Sequence, residues 1–170
     1  GDTWEWDGKR WQMLTADGPQ PRNGAALAFD EMRGKVVLSG GPPAFVEPET
    51  WEWNGQSWRK SPERSPPGRY NPVMVYHAGL KALVRFGGWT GKVRSSDTWI
   101  RRGIEWHEFR GRGPSPRNHS AMAYDALRGR AVLFGGHDGE FVFGDTWEFD
   151  GKTWRQVGRA LPQRRIDNKH

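Results

Sequence analysis

Apolar and polar positions alternate along this chain in short runs, each closed by glycine, proline, asparagine or aspartate. A period of two between turn-forming residues predicts β-strands, and the runs are too short for helices. The stretch 113–160 shows the pattern most fully. Ser120–Tyr124 is a strand of mostly small residues, and Asp125–Gly129 is a turn. Arg130–Phe134 is a second strand closed by Gly135-Gly136, where only glycine easily accepts positive φ or a close backbone approach. After a longer loop come Thr146–Phe149, the turn Asp150-Gly151-Lys152, and Thr153–Val157. Asp-Gly between two alternating runs is a strong hairpin signal. The prediction is a four-stranded antiparallel meander.

The same text recurs. Asp2-Thr3-Trp4, Glu49-Thr50-Trp51, Asp97-Thr98-Trp99 and Asp145-Thr146-Trp147 place a tryptophan at steps of 47, 48 and 48. A second tryptophan (Trp11, Trp58, Trp106, Trp154) and a turn glycine (Gly8, Gly55, Gly103, Gly151) keep those steps. A diglycine recurs at Gly40-Gly41, Gly87-Gly88 and Gly135-Gly136, and an arginine at Arg22, Arg69 and Arg117. Such a period marks an array whose units share their core with neighbours. First strands carry small residues (Ala25, Ala26, Ala28; Ala121, Ala123), whereas third and fourth strands carry tryptophans. That taper suits wedges converging on an axis, as in a β-propeller.

On these residues the units resemble kelch repeats, whose hallmarks are a diglycine after the second strand and spaced aromatics in strands three and four. Pro21-Arg22-Asn23 and Pro116-Arg117-Asn118-His119-Ser120-Ala121 resemble the kelch lead-in; the middle unit departs from it with Gly68-Arg69-Tyr70-Asn71-Pro72 and a first turn His77-Ala78-Gly79-Leu80. The resemblance implies an all-β, kelch-type β-propeller segment of four-stranded antiparallel blades, three complete blades plus an N-terminal half blade. The expected divisions are a half blade at 1–17, blades at 18–64, 65–112 and 113–160, and a tail at 161–170 in register with a further repeat. Three explanations of the open ends stand side by side: an excerpt of a longer propeller, association with another chain, or a tail that closes a four-bladed ring.

Composition narrows the function classes. Eleven Trp and eight Phe compensate for an apolar content of 35%. Zero cysteines exclude disulfides, thiolate metal sites and the cysteine–tyrosine cofactor of kelch-like copper-radical oxidases. No stretch approaches the roughly 20 apolar residues that span a bilayer. No signal segment is present, but a chain beginning at Gly1 says little about compartment, and an extracellular one stays open. The net charge of +6 is uneven: in residues 1–49 five Lys/Arg against eight Asp/Glu give −3, and in 50–97 eight against three give +5. An acidic end and a basic end either attract another chain or simply solvate a tryptophan-rich surface. No Lys/Arg run exceeds two residues, so a nucleic-acid partner is not expected.

Alternating strand directions put the 2–3 and 4–1 links on one face. Those links are long and varied, whereas the other face has short repeated turns, so the first face is the expected working surface. It holds Arg22, Asn23, Arg69, Tyr70, Asn71, Trp89, Arg94, Arg117, Asn118, His119, His137 and Asp138. Two readings are open for Arg22, Arg69 and Arg117: a ring of guanidiniums gripping an acidic peptide or anionic sugar, or internal bonds to loop carbonyls or to a neighbouring blade's acid. Asp2, Glu49, Asp97 and Asp145 are expected to accept backbone N–H groups before strand three. His119, His137 and Asp138 could meet as an acid/base or metal pair, though no spacing motif marks them. Trp89 and Phe141-Val142-Phe143 form either an exposed docking patch or a cover. No nucleophile elbow, phosphate loop or HExxH appears. The expectation is a non-enzymatic scaffold binding a protein or carbohydrate and self-assembling or joining the rest of a larger propeller, with no cofactor and no metal. The alternative is part of a kelch-type sugar enzyme, mutarotase- or lyase-like, with His119 or His137 as acid/base.

Overall fold

The computed structural model describes residues 1–41, 47–158 and 164–165. Positions 42–46 of the loop expected after the first diglycine, and all of the 161–170 tail but 164–165, lie outside the described residues. The described chain is all-β apart from one 3-10 turn, Ala78–Leu80, in the divergent first turn of the middle unit. Strands β1 (Thr3–Trp6) and β2 (Trp11–Thr15) pair as a hairpin. Three four-stranded antiparallel meanders follow. Sheet I comprises β3 (Ala25–Asp30), β4 (Lys35–Gly40), β5 (Thr50–Trp53) and β6 (Trp58–Lys60). Sheet II comprises β7 (Val73–His77), β8 (Ala82–Phe86), β9 (Thr98–Arg102) and β10 (Glu105–Phe109). In sheet III, β11 (Ala121–Asp125) and β12 (Arg130–Phe134) lead to β14 (Thr146–Phe149) and β15 (Trp154–Val157). Between them, β13 (Phe141–Val142) pairs with β16 (Arg164–Arg165). That short strand falls where an unstructured loop was expected, because two residues show no alternation.

Successive sheets pack through their first strands, β3 against β7 and β7 against β11. One core lies between sheets I and II, joining Ala26 and Val37 to Met74, Leu83 and Trp106; another joins Val84, Phe86 and Ile100 to Leu133, Phe149 and Trp154. Small side chains on β3 let the sheets come close there, so the facing apolar sides of sheets I and II, and of sheets II and III, bury each other.

Two recurrent contacts explain the repeat. The fourth-strand indole of each unit donates to the threonine of the preceding Asp/Glu-Thr-Trp line: Trp58 to Thr3 (2.7 Å), Trp106 to Thr50 (3.1 Å) and Trp154 to Thr98 (3.1 Å). The second glycine of a pair donates its N–H to the next unit's arginine carbonyl, Gly41 to Arg69 (2.8 Å) and Gly88 to Arg117 (2.9 Å). Gly87 and Gly88 have φ of 66° and 102°, and a Cβ on Gly87 would lie 2.7 Å from the Arg117 carbonyl. Glycine is required there by both conformation and space. A further contact, made once, is ionic: Glu52 on β5 accepts from Arg101 on β9 (2.6 Å), Lys35 (2.8 Å) and Arg33.

Candidate functional site

The recurrent arginines turn inward. Arg117 is 1% exposed and uses all five N–H donors: Nε to Ser115 O (3.1 Å), Nη1 to Gly135 O (3.1 Å) and Asp145 Oδ1 (2.5 Å), Nη2 to Ser115 Oγ (2.8 Å) and Asp145 Oδ2 (3.0 Å). Its guanidinium also sits 4.1 Å from the centre of the Phe143 ring. Arg69 pairs with Asp97 at 3.2 Å, and Arg22 with Glu49 at 3.1 Å. Each acid lies in the same unit as its arginine rather than in a neighbouring one. The same carboxylates accept an indole N–H two residues on, from Trp51 (2.9 Å), Trp99 (2.7 Å) and Trp147 (2.7 Å). Glu49, Asp97 and Asp145 therefore take a guanidinium and an indole as main partners, where backbone N–H groups were expected. The reason is the strand-three start: the alternating side chain beside the acid is a tryptophan whose N–H reaches back. Burial alone would push the Asp145 carboxyl up, but the bonds from Arg117 and Trp147 outweigh it and hold it below the usual range. Similarly Glu49, although part-buried, is held at about 2 by Trp51, Lys60 and Arg22.

With those arginines committed, the loop face surrounds a cavity of about 740 Å³. It is lined by Asn23, Tyr70, Asn71, Trp89, Arg94, Asn118, His119 and His137, together with Gly24 and Gly91. Arg22, Arg69, Arg117 and Asp138 stand outside the lining. Backbone bridges hold the lining in place: Tyr70 and Trp89 exchange N–H···O bonds of 2.9 and 2.8 Å, and Asn118 and His137 exchange two of 3.1 Å. Trp89 also bridges to Arg94, and His137 to Val142. The 4–1 links thus pair with the 2–3 links across the mouths of sheets II and III.

Gly24, Asn71 and His119 follow their units' arginines by two residues and all adopt positive φ, 61°, 51° and 56°. For Asn71 and His119 this left-handed conformation is costly and aims both side chains at one line. Asn71 Nδ2 lies 2.9 Å from His119 Nε2, and His119 Nδ1 lies 3.1 Å from His137 Nε2, with the two imidazoles stacked at 5.1 Å. His137 is pushed down by burial, then by the neighbouring His119 and Arg94, so its neutral form is favoured. Beside this line Tyr70 and Trp89 form an aromatic corner (5.7 Å between centroids), and Arg94 lies 5.8 Å over the indole. Asp138 does not join the imidazoles: its Oδ1 accepts the N–H of Glu140 (2.8 Å) and Phe141 (2.7 Å), capping its own turn. In the Phe141–Phe143 run Phe143 is buried beneath Arg117 and Val142 is exposed. Among the described residues no group of three or more His, Cys, Asp or Glu could hold a metal ion.

Two lining residues escaped the sequence reading. Gly24 was legible from its alignment with Asn71 and His119; Gly91 gave no signal beyond a turn. No protein-family model matches this chain, and no curated protein matches it.

Proposed function

We propose that this chain is a kelch-type β-propeller segment whose loop face binds a saccharide in the cavity lined by Tyr70, Trp89 and Arg94. The observation that carries this is the aromatic corner of Tyr70 and Trp89 set beside convergent amide, imidazole and guanidinium groups in one concave, backbone-pinned site. A sugar ring offers an apolar C–H face and a rim of hydroxyls; the indole takes the first, and Asn23, Asn71 and Asn118 can serve as donor or acceptor for the second. The role is binding rather than turnover, since the two imidazole nitrogens nearest each other are spent on their mutual bond. The propeller reading rests on the stacking of sheets through their first strands and on the wedge of small residues there. Two apolar faces, one bearing Trp4, Trp6 and Trp11 and the other Phe134, would receive further sheets of the same ring or a second copy.

Calorimetric titration with glucose, galactose and N-acetylglucosamine tests the site. The expected result is binding of at least one of them, weakened tenfold or more in Trp89→Ala while the thermal midpoint stays within a few degrees. Unchanged binding in that variant would sink the assignment. A second reading, sugar turnover with His119 as acid/base, draws on the strained φ of His119 and its contact with His137; faster anomer interconversion by polarimetry, lost in His119→Gln, would favour it.

A further inference from the structure

We infer that the ligand of this cavity is an acidic sugar whose carboxylate is clamped by Arg94. The inference rests on the saccharide reading above and adds the charge of the ligand.

The lining contains no aspartate or glutamate: its polar side chains are three asparagines, a tyrosine, two histidines and one arginine. With the His137 imidazole favouring its neutral form, Arg94 is the one permanent charge on that lining. The recurrent arginines each have a carboxylate partner at 2.5–3.2 Å. Arg94 has none: among the described residues it takes part in no ion pair, and Asp138 senses it only through space. Its donors are equally uncommitted. Nε reaches Asn118 Oδ1 at 3.5 Å, the long limit of a hydrogen bond, and among the described residues neither terminal nitrogen has a hydrogen-bond partner. Arg117, by contrast, has no N–H left to offer.

The position is also prepared. The Trp89–Arg94 bridge fixes the backbone, the indole face supports the guanidinium, and Gly139 leaves the space it occupies, since a Cβ there would fall 2.4 Å from Nη1. A planar, delocalised guanidinium with both terminal nitrogens open matches a carboxylate bidentately. A sugar ring lying on Trp89 with its carboxylate turned toward Arg94 uses both features at once. Uronic acids, with the carboxylate on the carbon outside the ring, and ulosonic acids, with it on the anomeric carbon, share this chemistry and differ in the angle between ring and carboxylate.

The test is calorimetry on the intact chain with glucuronate, galacturonate, N-acetylneuraminate, glucose, galactose and a glutamate-rich peptide, repeated on Arg94→Gln and Trp89→Ala. A charge-assisted pair contributes about 1.5–3 kcal/mol, so an acidic sugar should bind roughly 10- to 100-fold tighter than its neutral counterpart. Arg94→Gln should remove that preference, so that glucuronate binds no tighter than glucose; Trp89→Ala should weaken both. The response among the three acids tells a uronic from an ulosonic ligand. Equal affinity for glucose and glucuronate, or a preference that survives Arg94→Gln, overturns the carboxylate clamp while leaving the saccharide site standing. Binding of the peptide alone through Arg94 overturns the sugar and keeps the clamp for an acidic peptide. If no sugar and no peptide binds, both readings fall.

Discussion

Replacing Arg117 by methionine, which keeps length and apolar bulk but removes the charge, separates a structural arginine from a ligand-gripping one. The side chain is 1% exposed and bonded to Asp145, Ser115 and Gly135 through all five donors. Its loss leaves the part-buried Asp145 carboxylate with the Trp147 indole as its remaining side-chain partner, and strips the Gly135 and Ser115 carbonyls of a donor. Breaking a buried pair from one side costs about 3–5 kcal/mol, a large share of a stability of roughly 5–15 kcal/mol. In a chain of this length that corresponds to a fall in thermal midpoint on the order of 10 °C. Arg22→Met is the internal comparison. Glu49 is more exposed and retains Lys60 at 3.0 Å and Trp51 at 2.9 Å, so the expected loss is about 1 kcal/mol.

Urea unfolding followed by tryptophan emission measures both losses, and Asp145→Asn with the Arg117→Met/Asp145→Asn double variant closes a cycle that isolates the pair. Acid titration gives a second readout. Because the folded Asp145 carboxyl is held below its ordinary value, its contribution is complete above that ordinary value and disappears as pH falls through the folded one. Asp145→Asn should therefore flatten the acid limb of the stability curve. A loss under 1 kcal/mol in Arg117→Met, or one no larger than in Arg22→Met, would refute the claim that burial and donor saturation fix this arginine's role. So would Arg117→Met at unchanged stability with sugar binding abolished.

Two further outcomes follow from the buried ionisable groups. Glu52→Gln deprives Arg101, whose side chain is 0% exposed, of its counterion and should cost about 3–5 kcal/mol by urea unfolding, against about 1 kcal/mol or less for Glu148→Gln, whose partner Arg128 is 56% exposed. His77 is 2% exposed and held below its ordinary 6.5, chiefly by burial, so the unfolded chain takes up the proton first. Stability should fall as pH drops below about 6.5 until the folded group titrates, and His77→Gln should reduce that slope between pH 7 and 5, measured by thermal midpoint against pH; an identical slope in the variant would contradict the burial argument.

How much of this was legible in the sequence depended on how local the determining interaction is. Hairpins and strand edges came through because Asp150-Gly151 and Gly135-Gly136 act within a few residues: Arg130–Phe134 and Thr146–Phe149 stand where the alternation put them. The partners of the arginines did not, because Arg22 and Glu49, or Arg117 and Asp145, meet across 27 and 28 residues and only the folded sheet brings them together. The stacking of His119 on His137 was open for a similar reason: it needs the Asn118–His137 bridge, which a sequence without spacing motifs does not announce. Arg94 was visible as a loop residue of the right face, but its open donors become significant only once every recurrent arginine is seen to be occupied.

That contrast explains where the chain varies and where it repeats. Each unit must make the same junction with the next, so the groups that make it recur: the diglycine under the next arginine's carbonyl and the fourth-strand tryptophan on threonine, while within each unit the arginine recurs with its carboxylate and indole. A ligand has no such symmetry and asks each unit for something different. At the position two residues after the arginine the three units supply Gly24, Asn71 and His119, all with positive φ, so one backbone shape presents three chemistries. After the diglycine, Trp89 and His137 stand at equivalent bridges, and the strand partners of those bridges are Arg94 and Val142. The lining's arginine, which has no ion pair among the described residues, therefore sits where another unit carries an apolar residue, which no requirement of the sheet junction accounts for. Variation on a fixed backbone position is what the proposed recognition surface requires, and under that proposal the ligand meets Tyr70, Trp89, Arg94 and His119 rather than the arginines that every unit shares.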